Sequence, residues 1–429
     1  LAAAALALPA QALDVKSFAA EQDPCGDFYE FVNGPWAAKT RLAASRSRIG
    51  SFDQLRIAND ALLESALLDL VAKPELQTTP GLKQVAAYFA SGMDQQGVEA
   101  GGLRALQPML DRIATLDKPT QLPELLAELG RLQLAAPLAG FVRPDPKNTR
   151  QYVLALSQSG LGLPDREDYF KSDAVSRRLQ QAYRLYAQRL LEAAGLNASE
   201  ARLDALMAFE TRLAEATKPR AEMRDPNANY NPMSPAELMA AAPGFDWQSY
   251  LDSLTEREQG RRGVARLIVG QPAFARRLAE LAANTPVDTW RNYLALRLLD
   301  ASANRLPKAF AQAHFDYRGA TISGLKAPPA RAEEVILAIG GRTGREPLGM
   351  ALGELYVARA FSPEAQARAL QLVADVKAAM QQRIEKLSWM SAPTKQRALE
   401  KLAAMAPKIG APEKFPTYQG LTLRPDDYA

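Results

Sequence analysis

Apolar residues recur at three-to-four spacing along most of this chain, the period of a helix that buries one face. Over residues 52–70, Leu55, Leu62, Leu63 and Leu67 fall on that period, behind Ser51, a residue type suited to an N-cap. Residues 81–92, 103–116 and 123–134 repeat the pattern between Pro and Gly breakers. Two short runs, 138–143 and 151–157, alternate instead and flank Asp145-Pro146-Lys147-Asn148, which predicts a two-stranded hairpin. A Gly- and Pro-rich connector follows over 159–170. Pro164 is expected to open a long helix through Leu191, because proline suits a first helical turn.

A helix is predicted over 199–217. The polar stretch 218–235 holds Pro219, Pro226, Pro232 and Pro235 and reads as a surface loop or hinge. Helices are expected at 234–241, 272–283 and 287–303, then, after breaker-rich links at 320–329 and 341–344, at 348–359, 363–387 and 392–405. Trp389 and Met390 read as core packing, and Pro407, Gly410 and Pro412 stop the last helix. A short strand is expected at 421–423. No repeat of fixed period and no sharp change in composition divides the chain. The fold class expected is mainly α: one large helical lobe, residues 13–429, with a small β-hairpin.

Composition adds limits. The 429 residues carry 52 basic and 48 acidic side chains, a net charge of +4 that is too small and too dispersed to argue for nucleic acid. The densest basic group, Arg257, Arg261, Arg262 and Arg266, reads as a solvated face. Residues 1–12 resemble the rear of a secretory signal peptide: an apolar run, Pro9, then Ala10-Gln11-Ala12 as a small-x-small cleavage pattern. No other segment sustains the roughly 18 apolar residues that a membrane span needs. Export to the periplasm or the extracellular space, with no retained membrane span, is the expectation. A lipid anchor is disfavoured, since no cysteine stands at the cleavage point.

Candidate chemistry is sparse. Cys25 is the only cysteine and His314 the only histidine, so neither an internal disulfide nor a nucleophile–histidine pair close in sequence is available. His314, in AQAHFDYRG, reads as a packed residue and not as a metal ligand. There is no supported nucleophile elbow and no P-loop. The acid pairs Glu333/Glu334 and Asp426/Asp427 read as solvated charges that point in different directions.

Several segments nevertheless form an ordered set. DPCGDFYEFVNGPW (23–36) gathers Phe28, Tyr29, Phe31 and Trp36 around an expected Asn33-Gly34-Pro35 turn, and SRSRIGSFDQLR (45–56) follows it. LGLPDREDYF (161–170), YNPMSPAEL (230–238) and ALGELYVARAF (351–361) continue the series. LSWMSAPTKQRALEKLAAMAPKIGAPEKFPTY (387–418) ends it. In this order the chain resembles the N-terminal region of the neprilysin family of zinc metallopeptidases. Two positions depart from the family pattern: Ala411 replaces a usual aromatic residue, and 328–336 lacks a tryptophan often found there.

The resemblance implies a helical lobe that caps a separate catalytic lobe, the two enclosing a cavity that admits small peptides. It also implies a zinc metalloendopeptidase whose H-E-x-x-H helix and glutamate ligand lie C-terminal to this sequence, since two histidines cannot be supplied here. Peptide substrates and that catalytic domain would be the partners, and zinc the cofactor of the full-length protein. By itself the chain is expected to be inactive. The family's matching cysteine pairs with one near the far C-terminus, so Cys25 is expected to be half of such a bridge. Arg48 and Asp53 match the arginine and aspartate that meet the substrate beyond the cleaved bond. Arg48 would offer a guanidinium fork to a carbonyl or C-terminal carboxylate, and Asp53 would hold it. Read from residue chemistry alone, the two are an ordinary surface ion pair at a helix start; the resemblance raises the substrate-binding reading to equal standing. The alternative function is a non-enzymatic helical peptide-binding or scaffold module. A downstream H-E-x-x-H sequence in the gene separates the two.

Overall fold

The computed structural model describes residues 15–134, 136–255, 263–341, 347–424 and 426–429. The signal-peptide-like stretch 1–12 lies outside the described residues, as do Arg257, Arg261 and Arg262 and most of the 341–344 link. The described part is mainly helical with one small sheet, in line with the periodicity. Composition marks no boundary, but backbone contacts separate two compact units: Leu1–Asp94 with Pro329–Pro425, and Gln95–Pro328 with Asp426–Ala429. The first unit is discontinuous in sequence, so no local compositional change could mark it.

In the first unit, helices Ser51–Ala72, Pro80–Met93, Arg331–Gly340 and Gly349–Ala360 bury Leu67, Leu70, Val85, Phe89, Val335, Ile339 and Leu352. Gly81 sits at a close approach, where an added Cβ would lie 2.9 Å from the Tyr418 ring and 3.1 Å from Ala351. Helices Phe28–Lys39, Pro363–Lys386 and Ala392–Ala403 belong to the same unit.

The second unit holds a continuous core of aromatic and aliphatic side chains. Phe209 packs edge-on against Trp290 at 4.7 Å and against Tyr293 at 4.8 Å, arrangements favoured by the ring quadrupole. Helix Val287–Ser302 is buried on most of its faces, and it carries Arg297 into the interior together with its apolar side chains. The expected hairpin is present as β1 (Leu138–Asp145) and β2 (Asn148–Gln158), antiparallel, with Phe141 opposite Ala155 and Val142 opposite Leu154. Two further strands, β3 (Pro232–Met233) and β4 (Leu267–Val269), extend it in the order β1-β2-β4-β3. They are too short to show a period of two. They exist because β4 finds a parallel partner in β2, Leu154 opposite Leu267.

Several local expectations are corrected. Asn33-Gly34-Pro35 is not a turn but lies inside helix Phe28–Lys39, capped by Asp27, whose side chain accepts from Glu30 N at 2.9 Å. Pro35 cannot donate to the carbonyl of Phe31, and Ala19 N donates to that oxygen instead, at 2.9 Å. Ser51 is the first helical residue and not the cap; Gly50 takes the cap position without a side-chain bond. Pro164 does not open the following helix. That helix is Ala174–Ala193, and Asp173 caps it by accepting from Val175 N and Ser176 N. The carboxylate can satisfy free first-turn donors, which proline cannot. Trp389 is 74% exposed and so is not core packing of either unit. Residues 421–423 are not a strand among the described residues. The 218–235 segment is strapped rather than loose: the Asn229 side-chain amide donates to the carbonyls of Glu222, Met223 and Asp225.

Candidate functional site

Residues 45–56 enter the Ser51–Ala72 helix and carry Arg46, Arg48, Asp53 and Arg56. Asp53 lies in the first turn, where a carboxylate suits the positive end of the helix dipole. Its Oδ2 is 3.8 Å from Arg48 Nε and its Oδ1 is 3.9 Å from Arg56 Nη2. Arg56 Nη1 reaches 3.7 Å from Glu333 Oε1, and Arg46 Nη2 donates to that same oxygen at 3.1 Å. Glu333 comes from the first turn of the Arg331–Gly340 helix, in the same unit.

Three guanidinium groups thus meet two carboxylates, leaving one positive charge in excess. Its place is legible from exposure. The side chains of Arg46, Asp53 and Glu333 are 12%, 17% and 23% exposed, whereas that of Arg48 is 86% exposed. Arg48 makes no hydrogen bond to any described residue, so its planar fork is open to an anion or a carbonyl. Glu334, next to Glu333, is also no solvated charge. Burial raises its carboxyl above the ordinary value against the opposing pull of Arg331, whose guanidinium lies 3.6 Å away.

Among the described residues no group of three or more His, Cys, Asp or Glu side chains converges on a point that could hold a metal ion. His314 lies in the second unit, edge-on to Tyr186 at 6.5 Å, and burial depresses its imidazole below the usual histidine value. It is a packed residue, as its apolar flanks suggested. Cys25 is exposed, with a free thiol. The described residues offer no set of side chains that fits a zinc ion.

In the second unit the LGLPDREDYF segment is held by a buried polar cluster. Glu210, fully buried, accepts from Tyr169 Oη at 2.5 Å, Tyr183 Oη at 2.6 Å and Gly162 N at 3.1 Å. Arg297 Nη2 donates to Tyr183 Oη at 2.8 Å and lies 4.0 Å from Glu210. Tyr293 and Tyr317 donate to the carbonyls of Gly160 and Gly162. Asp300 accepts from Tyr186 and Arg318, each at 2.7 Å. Burial pushes the Asp300 carboxyl up, but Arg297 and Arg318 outweigh it and hold it below the ordinary carboxylate value. Two carboxylates thus offset two guanidinium groups, as burial of charge requires. The cluster explains the motif as scaffold: its glycines let tyrosines approach the backbone.

Comparison with known proteins identifies the family. The description "Peptidase family M13", in its N-terminal part, matches residues 24–412, most of the sequence. The chain belongs to peptidase family M13. Mouse endothelin-converting enzyme-like 1 is 30% identical to this M13 chain over 410 residues, covering 91% of it and 51% of the relative. Mouse membrane metallo-endopeptidase-like 1 is 26% identical, covering 91% and 53%. The chain therefore spans about half the length of the curated relatives it matches. Among solved structures, the Mycobacterium tuberculosis zinc metalloprotease Zmp1 in complex with an inhibitor aligns with a TM-score of 0.83 and 28% identity, covering 97% of this chain and 62% of that one. PepO from Lactobacillus rhamnosis aligns at 0.81 and 22% identity, covering 95% and 63%, a likeness of fold.

Of the residues singled out in this M13 chain by sequence, Arg48 and Asp53 stand together as a loose ion pair. Arg46, Arg56 and Glu333 were not anticipated as part of the same cluster. The alternating arginines of SRSR and the i,i+3 spacing of Asp53 and Arg56 were visible signals. The contribution of Glu333, 287 positions from Arg46, was not.

Proposed function

We propose that this chain is the N-terminal region of an exported zinc metalloendopeptidase that hydrolyses small peptides. In this reading it supplies the helical wall of a cavity that restricts substrate size. Its Arg48 guanidinium meets a peptide carbonyl or C-terminal carboxylate, and Asp53 orients it. The observation that carries the reading is the pairing of an almost fully exposed Arg48 with a largely covered Asp53 at a helix start. The M13 membership supports it.

Zinc would be held by residues outside those described, and would supply a polarised water for attack on the peptide carbonyl. What these residues do is bind and orient: a bidentate fork fixes a planar carboxylate or carbonyl, and a neighbouring carboxylate limits where that fork points. Export is supported by the signal-like composition of residues 1–12. No helix among the described residues is long and apolar enough to cross a membrane.

The test uses the 429-residue chain after dialysis. Metal analysis should find no stoichiometric zinc, and a fluorogenic peptide should remain uncut. A chain that retains one zinc per molecule would overturn the placement of the metal. For the binding role, peptides with a free C-terminal carboxylate should bind better than their amides, and Arg48→Ala should remove the difference. A difference that survives the substitution would exclude Arg48.

A further inference from the structure

Within the Arg48 cluster, Arg56 faces both carboxylates at once: Asp53 Oδ1 at 3.9 Å and Glu333 Oε1 at 3.7 Å. Neither distance is that of a formed hydrogen bond. Arg56 is therefore shared, and the charge on each carboxylate decides how strongly it is drawn to the other. Glu333 also binds Arg46 at 3.1 Å, two residues before Arg48, and that guanidinium is the most covered of the three. The 45–50 segment is consequently tethered twice, by Arg46 to the Arg331–Gly340 helix and by the helix that begins at Ser51.

We infer that Glu333 is a positioning residue for Arg48, acting through Arg56 and Arg46 to reserve Asp53 for the exposed guanidinium. This rests on the reading of Arg48 as a substrate-binding group. The electrostatic reasoning is direct. With Glu333 charged, two carboxylates serve three guanidinium groups, and Arg56 divides its attraction. With that charge removed, Arg46 and Arg56 lose a partner, and Asp53, 3.9 Å from Arg56, takes the whole of the attraction that Arg56 had divided. Arg56 is three residues along the same helix face from Asp53 and competes for it at short range. Arg48, on a segment that has lost its Arg46 tether and with almost its whole side chain in water, is the weaker competitor. Its fork then samples many directions and loses selectivity for a planar anion.

The experiment compares the dipeptide Ala-Phe with its C-terminal amide as ligands of the full chain. Circular dichroism and melting temperature are recorded for each variant. The unsubstituted chain should prefer the free acid, and Arg48→Ala should level the two. Glu333→Gln should cut the preference by roughly threefold, the scale of one exposed ion pair. Its fold should stay intact, and the Arg48 side-chain Nε–H should exchange faster with solvent by NMR. Glu333→Asp, which keeps the charge, should retain most of the preference. If Arg48→Ala levels the ligands while Glu333→Gln leaves both the preference and the exchange rate unchanged, the inference is wrong and the Arg48 role stands. No preference in the unsubstituted chain, or one that survives Arg48→Ala, removes the Arg48 role and this inference with it.

Discussion

Tyr183 donates its hydroxyl proton to Glu210 at 2.6 Å, and both side chains are fully buried. The same hydroxyl accepts from Arg297 at 2.8 Å, so a tyrosine stands between an anion and a cation that are themselves 4.0 Å apart. The second unit depends on this relay, because no buried member of it has water to turn to.

Glu210→Gln should therefore be costly. It removes the charge that offsets Arg297 and places amide hydrogens against the donors Tyr169 Oη, Tyr183 Oη and Gly162 N. A loss of about 3–5 kcal/mol is expected, the cost of breaking a buried ion pair. Hydrogen exchange of the Gly162 and Leu163 amides, which bond into the cluster, reports it locally. Unchanged protection of those amides would show that the charge is dispensable.

Gly162→Ala should disrupt the same place by sterics. A Cβ there would collide with the Tyr183 ring, which is fully buried and cannot move aside. At Gly160 an added Cβ meets Tyr293 Oη, and the backbone φ of +90° is itself strained for any residue but glycine. Both variants should melt well below the unsubstituted chain in calorimetry. Alanine at Gly195, which has open space but φ +70°, should cost less.

His314 provides a pH test with a unique signal, since the sequence has no other histidine. Burial lowers its folded value beneath 6.5. Between that lowered value and 6.5 the unfolded chain binds more protons than the folded one, so stability falls as pH drops through this window. An imidazole titration by NMR with its midpoint below 6.5 is expected. A midpoint at or above 6.5 would contradict the packing of His314 against Tyr186.

Glu334 predicts the opposite slope. Its folded value is raised above 4.5 by burial, so in the window above 4.5 the folded state holds the extra proton. Stability should fall as pH rises through the folded value. Glu334→Gln should then stabilise the first unit at neutral pH and have little effect below pH 4.5. Urea melts of both proteins at the two pH values measure this.

Much of the fold was legible. Residues 272–283 and 287–303 read as helices, and helices Pro272–Asn284 and Val287–Ser302 are observed. The hairpin around residues 145–148 was equally plain, since a period of two next to a turn has few other solutions. The Asn33-Gly34-Pro35 turn misled because its residues are local turn formers, whereas Ala19, fourteen positions before Gly34's neighbour Asn33, supplies the donor that lets a helix pass through Pro35. Trp389 misled because a large apolar residue does not by itself reveal whether a neighbour covers it.

The sequence by itself determined the helical character, the hairpin, the ordered family motifs and the absence of a paired-histidine metal helix within these 429 residues. These are matters of local spacing and of residue inventory. Only the tertiary structure decided that Glu333 binds Arg46 across 287 positions, that Glu210 gathers Tyr169, Tyr183 and Gly162, and that β4 lies beside β2. A carboxylate's partner is chosen by which side chains are brought within a few ångströms as apolar surface is buried. That proximity belongs to the whole fold and leaves no mark on the residues next to it in the chain.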